Sequence, residues 1–117
     1  MVQYMLRSCV ITVLYYVGEN GHCPFEDWFA GLDPAATAKV AGALVKLEAE
    51  NDSNVKSVGE SVLEYRIDWG PGYRIYFGRD GAALVILLTA GTKKRQQDDI
   101  RAAKVMWVDY KRRRRNG

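Results

Sequence analysis

The sequence predicts a single α+β domain, ordered β-α-α-β-β-β-α, with a twisted, mainly antiparallel sheet and its helices packed on one face. Three observations carry this. Residues 63–68 alternate strictly between apolar and polar. Two glycine-containing turns, Gly70-Pro71-Gly72 and Arg79-Asp80-Gly81, mark off two more runs of strand character between Tyr73 and Thr89. Apolar residues recur at helical spacing before this block and after it.

Taken in order, Cys9 to Val17 is rich in β-branched residues and reads as a first strand near a sheet edge. Arg7 followed by that apolar run imitates a secretory leader, but no A-x-A cleavage site comes after it. Pro24 opens a short helix with Phe25, Trp28, Phe29 and Leu32 on one stripe. Asp33 is placed to cap a second helix with Pro34 at its first position; Ala36, Val40, Ala43, Leu44 and Leu47 form its apolar face as far as about Glu50. A polar loop is expected from Asn51 through Gly59. The strand Val62 to Asp68 puts Leu63, Tyr65 and Ile67 on one face and Glu64, Arg66 and Asp68 on the other. Tyr73, Ile75 and Phe77 alternate with Arg74 and Tyr76 in the next strand. Asp80-Gly81 is a hairpin signal, and Ala82 to Thr89 is apolar enough for a central strand covered on both faces. A last helix carries Ile100, Ala103, Trp107 and Tyr110 at helical spacing.

Composition narrows the function classes. A chain of 117 residues, 48% hydrophobic and 26% charged, has room for one packed domain, here 1–110, followed by a basic C-terminal tail, 111–117. Lys111 to Arg115, five adjacent like charges, is expected to be disordered or frayed. No apolar run approaches the roughly 18 residues that a membrane span needs, so a cytoplasmic protein without membrane contact is expected. Cys9 and Cys23 have no zinc-site spacing and read as reduced thiols; no metal or cofactor is expected. The net charge of +3 conceals an asymmetry: residues 60–117 carry thirteen basic and seven acidic side chains, residues 1–59 four basic and seven acidic. Such a field suits a polyanion, and in a cytosol that is most often nucleic acid.

If the Gly70-Pro71-Gly72 turn closes symmetrically, Arg66 faces Tyr76, Asp68 faces Arg74, and Arg66 lies diagonal to Arg74. With the helices on the opposite face, these side chains stand on an open surface rimmed by Lys93, Lys94 and Arg95. Metal-free RNA cleavage needs cations to hold a charged phosphate, and a planar guanidinium grips two phosphate oxygens at once. Tyr73 or Tyr76 can stack on a splayed base. The same residues also fit an ordinary solvated sheet face with cross-strand ion pairs. His22 reads as an exposed loop residue, Trp28 and Trp107 as core, and Trp69 as core edge or partner contact.

The segment Leu63-Glu-Tyr-Arg-Ile-Asp-Trp-Gly-Pro-Gly-Tyr-Arg-Ile-Tyr-Phe77, followed by Leu87-Leu-Thr-Ala-Gly-Thr-Lys-Lys-Arg-Gln-Gln-Asp-Asp-Ile100, resembles the signature of the HigB-like addiction module killer proteins of the RelE/ParE superfamily. The resemblance runs from about Phe25 to about Ala103. It implies a RelE-like βααβββα toxin of a type II toxin–antitoxin system: a ribosome-dependent mRNA endonuclease, held inactive by a small helix-turn-helix antitoxin. It also implies catalytic roles for Arg74, for Lys93 or Lys94, and for Arg66. The place of Tyr73, Tyr76 and Arg95 on the same surface makes them the expected RNA contacts. No histidine or histidine–tyrosine pair stands near the last strand or closing helix, where active relatives carry a general acid or base. That departure keeps two other readings in play: a non-nuclease toxin that inhibits DNA gyrase, and an inactive relative that only binds its antitoxin.

Overall fold

Local signals start both early helices where expected. In the computed structural model, which describes residues 11–49 and 51–116, Pro24 begins α1 (Pro24–Ala30) and Pro34 begins α2 (Pro34–Glu48). The Asp33 carboxylate accepts the Ala36 amide at 2.8 Å, capping α2. Ala36, Val40, Ala43 and Leu47 are its buried residues. The first strand, β1 (Thr12–Tyr15), lies at a sheet edge as expected; the part of the expected strand at Cys9 and Val10 lies outside the described residues.

The remaining elements are β2 (Val55–Gly59), β3 (Val62–Ile67), β4 (Tyr73–Arg79), β5 (Leu84–Thr92) and α3 (Gln96–Asn116), the last preceded by one 3₁₀ turn at Lys93–Arg95. The sheet order is β1-β5-β4-β3-β2, with β1 parallel to β5 and the other pairs antiparallel. The fold is thus α+β with a mixed five-stranded sheet, and three expectations need correction.

First, the polar loop before Gly59 is a strand. A bulge between Ser57 and Gly59 breaks the two-residue period in Val55-Lys56-Ser57-Val58, and the next hairpin turns on Glu60 and Ser61 instead of Asn-Gly. Both residues are left-handed, with φ of 56° and 66°, as a two-residue primed turn requires. Second, the helices do not share a face. Helices α1 and α2 cover Tyr65, Ile67, Tyr73, Ile75 and Phe77, whereas α3 packs Ala103 and Trp107 on Val62, Tyr76, Ile86 and Leu88 on the other side. The face expected to be open lies largely under α3. Third, the tail is helical to Asn116. Cations at a helix C-terminus oppose no dipole, and Arg112 pairs with Glu19 (3.1 Å), Arg113 with Asp109 (2.9 Å) and Arg114 with Asp80, which offsets their mutual repulsion.

Two glycines allow α3 to lie so close. A Cβ on Gly78 would stand 2.6 Å from the Trp107 ring, and one on Gly91 would overlap the Asp99 carboxylate. Gly78→Ala is therefore expected to lower unfolding free energy by about 1–3 kcal/mol through overpacking. Urea denaturation of the two proteins measures it, and equal midpoints would show that the Trp107 ring can move aside at no cost.

Candidate functional site

The strand register brings two arginines face to face. The β3–β4 loop spans five residues, closed by a turn in which the Gly72 amide donates to the Trp69 carbonyl at 3.0 Å, with Gly70 and Gly72 both at positive φ. Ile67 then pairs with Tyr73, Arg66 with Arg74, and Glu64 with Tyr76. This is two residues away from the symmetric closure expected from sequence. A two-residue shift keeps every side chain on its face, so the apolar pattern cannot distinguish the two registers; the turn does. Like charges directly opposite each other on a sheet are destabilising, so this pair needs compensation.

For Arg74 the compensation is a buried carboxylate. Glu64 is fully buried and Arg74 nearly so, at 5% exposure. Arg74 Nε lies 3.8 Å from Glu64 Oε1, Lys56 Nζ 3.9 Å from the same oxygen, and Gln96 Nε2 donates to Glu64 Oε2 at 2.8 Å. Arg74 Nη1 also donates to the Tyr73 carbonyl at 3.3 Å. Arg66 is exposed and has no ion pair among the described residues. One guanidinium is thus pinned, and the other is available to an anion.

Polar atoms without hydrogen bonds gather here. Glu64 Oε1, Arg74 Nε, the Tyr76 hydroxyl and Asp99 Oδ2 are all buried and make no hydrogen bond. Such atoms are rare in folded interiors and call for a reason. Burial first, then the Glu64 carboxylate beside it, holds the Tyr76 phenol protonated far above its usual range, although its hydroxyl makes no well-formed hydrogen bond. Burial against Gly91 raises the proton affinity of the Asp99 carboxyl, which the nearby Arg95 partly opposes.

Arg74 reaches the surface in a pocket of about 320 Å³ lined by Asp68, Trp69, the Gly70-Pro71-Gly72 turn, Arg74 and Lys93. The Lys93 amide donates to the Gly72 carbonyl at 2.9 Å, which ties the 3₁₀ turn to the β3–β4 loop. Lys93 and Lys94 are exposed and carry no ion pair among the described residues, whereas Arg95 lies 3.9 Å from Asp98. Asp98 and Asp99, in the first turn of α3, offset the three cations just before them.

Among the residues singled out in the sequence, the register sets Arg66 opposite Arg74, and the pocket joins Arg74 to Lys93. Arg66, Lys94 and Arg95 do not line the pocket. The two tyrosines are placed differently from expectation. Tyr76 is fully buried beneath α3, and Tyr73 packs on the α1–α2 side against Trp28 and Trp69, with ring centroids 5.7 and 6.3 Å away. Neither ring offers a free face to a base. His22 is exposed, as expected, beside Asp27 at 2.6 Å. Sequence reasoning missed Glu64, Gln96 and Asp99. The signal for Glu64 was its place on the same strand face as Arg66; the burial that gives it meaning depends on where α3 lies.

Residues 27–106 match a family model described as "Phage derived protein Gp49-like (DUF891)". The chain is also similar to an uncharacterized protein of Haemophilus influenzae, 39% identical over 83 residues that cover 70% of this chain and 84% of that protein.

Burial of Asp99 makes stability depend on pH in a definite direction. A carboxyl whose proton affinity is raised by folding favours the folded state in acid, and that contribution is lost as pH rises through its folded pKa. Relative to wild type, Asp99→Asn should gain urea stability as pH rises above the ordinary carboxylate range. A pH-independent difference between the two midpoints would show that Asp99 titrates as an ordinary surface carboxyl.

Proposed function

The chain belongs to the family of phage-derived Gp49-like proteins, and from that premise we propose that it is the toxin of a type II toxin–antitoxin pair, of RelE/ParE type, that cuts messenger RNA on the ribosome. The observation that carries this reading is the Arg66–Arg74 pair set across two strands, with Arg74 braced from behind by Glu64 and opening beside Lys93. A pair of like charges in register costs stability and finds its use in a doubly contacted anion such as the phosphate between two nucleotides.

The chemistry assigned to the pocket is transfer of the phosphate ester to the neighbouring 2′-hydroxyl. The 2′-oxygen bonds to phosphorus, the bond to the 5′-oxygen breaks, and a 2′,3′-cyclic phosphate and a 5′-hydroxyl result. Arg74, Arg66 and Lys93 hold the charge that builds on the phosphoryl oxygens. Asp68, the carboxylate lining the same pocket, accepts the 2′-hydroxyl proton, and the Lys93 ammonium protonates the leaving oxygen. A ribosome that aligns the two reacting atoms lessens what these groups must contribute, because positioning alone is worth several kcal/mol, on the order of 7–11 in the best cases. The partners of this reading are the ribosome with its mRNA, and a small helix-turn-helix antitoxin that covers the basic surface.

The test is transcriptome-wide mapping of RNA 5′ ends soon after induction of wild type, Arg74→Ala and Arg66→Ala. Wild type should produce fresh cuts inside translated regions. Arg74→Ala should reduce them by about 100-fold or more, as loss of one charge-stabilising donor does. The exposed Arg66→Ala, which leaves the core untouched, should also reduce them. Growth arrest without new ends, or cuts that persist in both variants, would remove the nuclease reading.

A further inference from the structure

A second groove adjoins the pocket. It has a volume of about 500 Å³ and lies between α2 and β3, lined by Lys39, Gly42 and Lys46 of α2, by Asn54, and by Arg66 to Trp69 of β3 and its loop. Strand β2 leaves β3 there: the last β2 pair is Val55 with Tyr65, and the Arg66 amide donates to the Asn54 carbonyl at 3.0 Å, after which β3 has no strand neighbour on that side. Asp68 and Trp69 line both the groove and the pocket, so the two adjoin at these residues.

From this we infer that the α2–β3 groove is a binding site for single-stranded RNA, holding the stretch of strand that flanks the phosphate at Arg74. The inference rests on the nuclease reading for its direction but not for its evidence. Three cations, Lys39, Lys46 and Arg66, line the groove against the single acid Asp68, and none of the three has an ion-pair partner among the described residues. At the junction, half-buried Trp69 rests on Tyr73, with ring centroids 6.3 Å apart, and carries the Lys39 ammonium 5.6 Å from its centroid. Cations spaced along a groove around an aromatic ring are the means by which proteins follow an unpaired strand, the charges tracking phosphates and the ring meeting a base.

Gly42 supports the same assignment. It sits in the middle of α2, where glycine is a poor helix former, and an added Cβ there would meet nothing within 4 Å. Packing therefore does not require glycine at this position. Its effect is to keep the wall of the groove low between Lys39 and Lys46.

The experiment measures equilibrium binding of a labelled single-stranded RNA oligonucleotide to the free protein across a salt series. Lys39→Ala/Lys46→Ala should flatten the dependence of log K on log salt by about 1.4, roughly 0.7 for each phosphate that is no longer neutralised on a single strand. Gly42→Leu, a better helix former that fills the groove, should be at least as stable as wild type and bind several-fold more weakly. Arg74→Ala should keep the salt dependence that the groove lysines contribute, even where it no longer cuts. If both groove variants bind RNA as wild type does while wild type still cuts mRNA, the groove assignment is wrong and the nuclease reading stands. If the groove variants lose a polyglutamate competitor as steeply as RNA, the site is a general polyanion surface and the assignment to RNA is overturned. Groove-dependent RNA binding by a protein that cuts nothing would support the groove and count against the nuclease.

Discussion

A carboxylate taken wholly out of water costs several kcal/mol unless cations and donors close around it. Glu64 is such a group, and its surroundings organise the sheet. Lys56 comes from β2, Arg74 from β4 and Gln96 from the start of α3, so one buried charge on β3 draws on three other elements. Removing one partner of a buried pair typically costs about 3–5 kcal/mol, because the remaining charge is left uncompensated. The same pairing makes the Arg66–Arg74 register tolerable and fixes one edge of the Arg74 guanidinium before any ligand arrives. Holding a charge in place in advance is what makes it effective toward a developing negative charge, since nothing must be reorganised during reaction.

The elements with local causes were legible in the sequence. The Pro24 and Pro34 helix starts, the Asp33 cap, the alternation from Leu63 and the apolar β5 are each set by residues within a few positions of one another. Features that depend on tertiary placement were not legible. Nothing in the period of Ile100, Ala103, Trp107 and Tyr110 states which face of the sheet that helix covers; the answer lies in Gly78 and Gly91, whose missing side chains leave room for Trp107 and Asp99. Strand β2 was hidden by its bulge and by a hairpin turn built on Glu60 and Ser61 instead of glycine. The arginine run looked like a self-repelling tail because its partners Glu19, Asp80 and Asp109 are distant in sequence or lie one turn back along the helix.

The candidate site divides along the same line. Residue types pointed to Arg66, Arg74 and the Lys93–Arg95 turn, and the strand pairing adds that the two arginines are directly opposed. The tyrosines were misplaced because alternation assigns a face, whereas accessibility depends on what covers it. Asp68, exposed in the pocket, and Asp99, half-buried beside Gly91, provide carboxyls where the sequence offers no histidine. Family and fold leave the reaction open, because one fold supports many activities; the charged pocket and its buried brace give the specific grounds for phosphate chemistry.

The coupling of Glu64 to Arg74 is the claim on which the rest depends, and a double-mutant cycle on the single-turnover cut of ribosome-bound mRNA tests it most directly. Glu64→Gln keeps the shape and removes the charge, Arg74→Lys keeps a charge and removes the fork. If Glu64 acts by positioning Arg74, each single variant slows the cut and the pair is scarcely slower than the worse of the two, a non-additivity that neighbours acting as a unit display. Losses that multiply independently, or a Glu64→Gln protein that cuts at the wild-type rate, would contradict it.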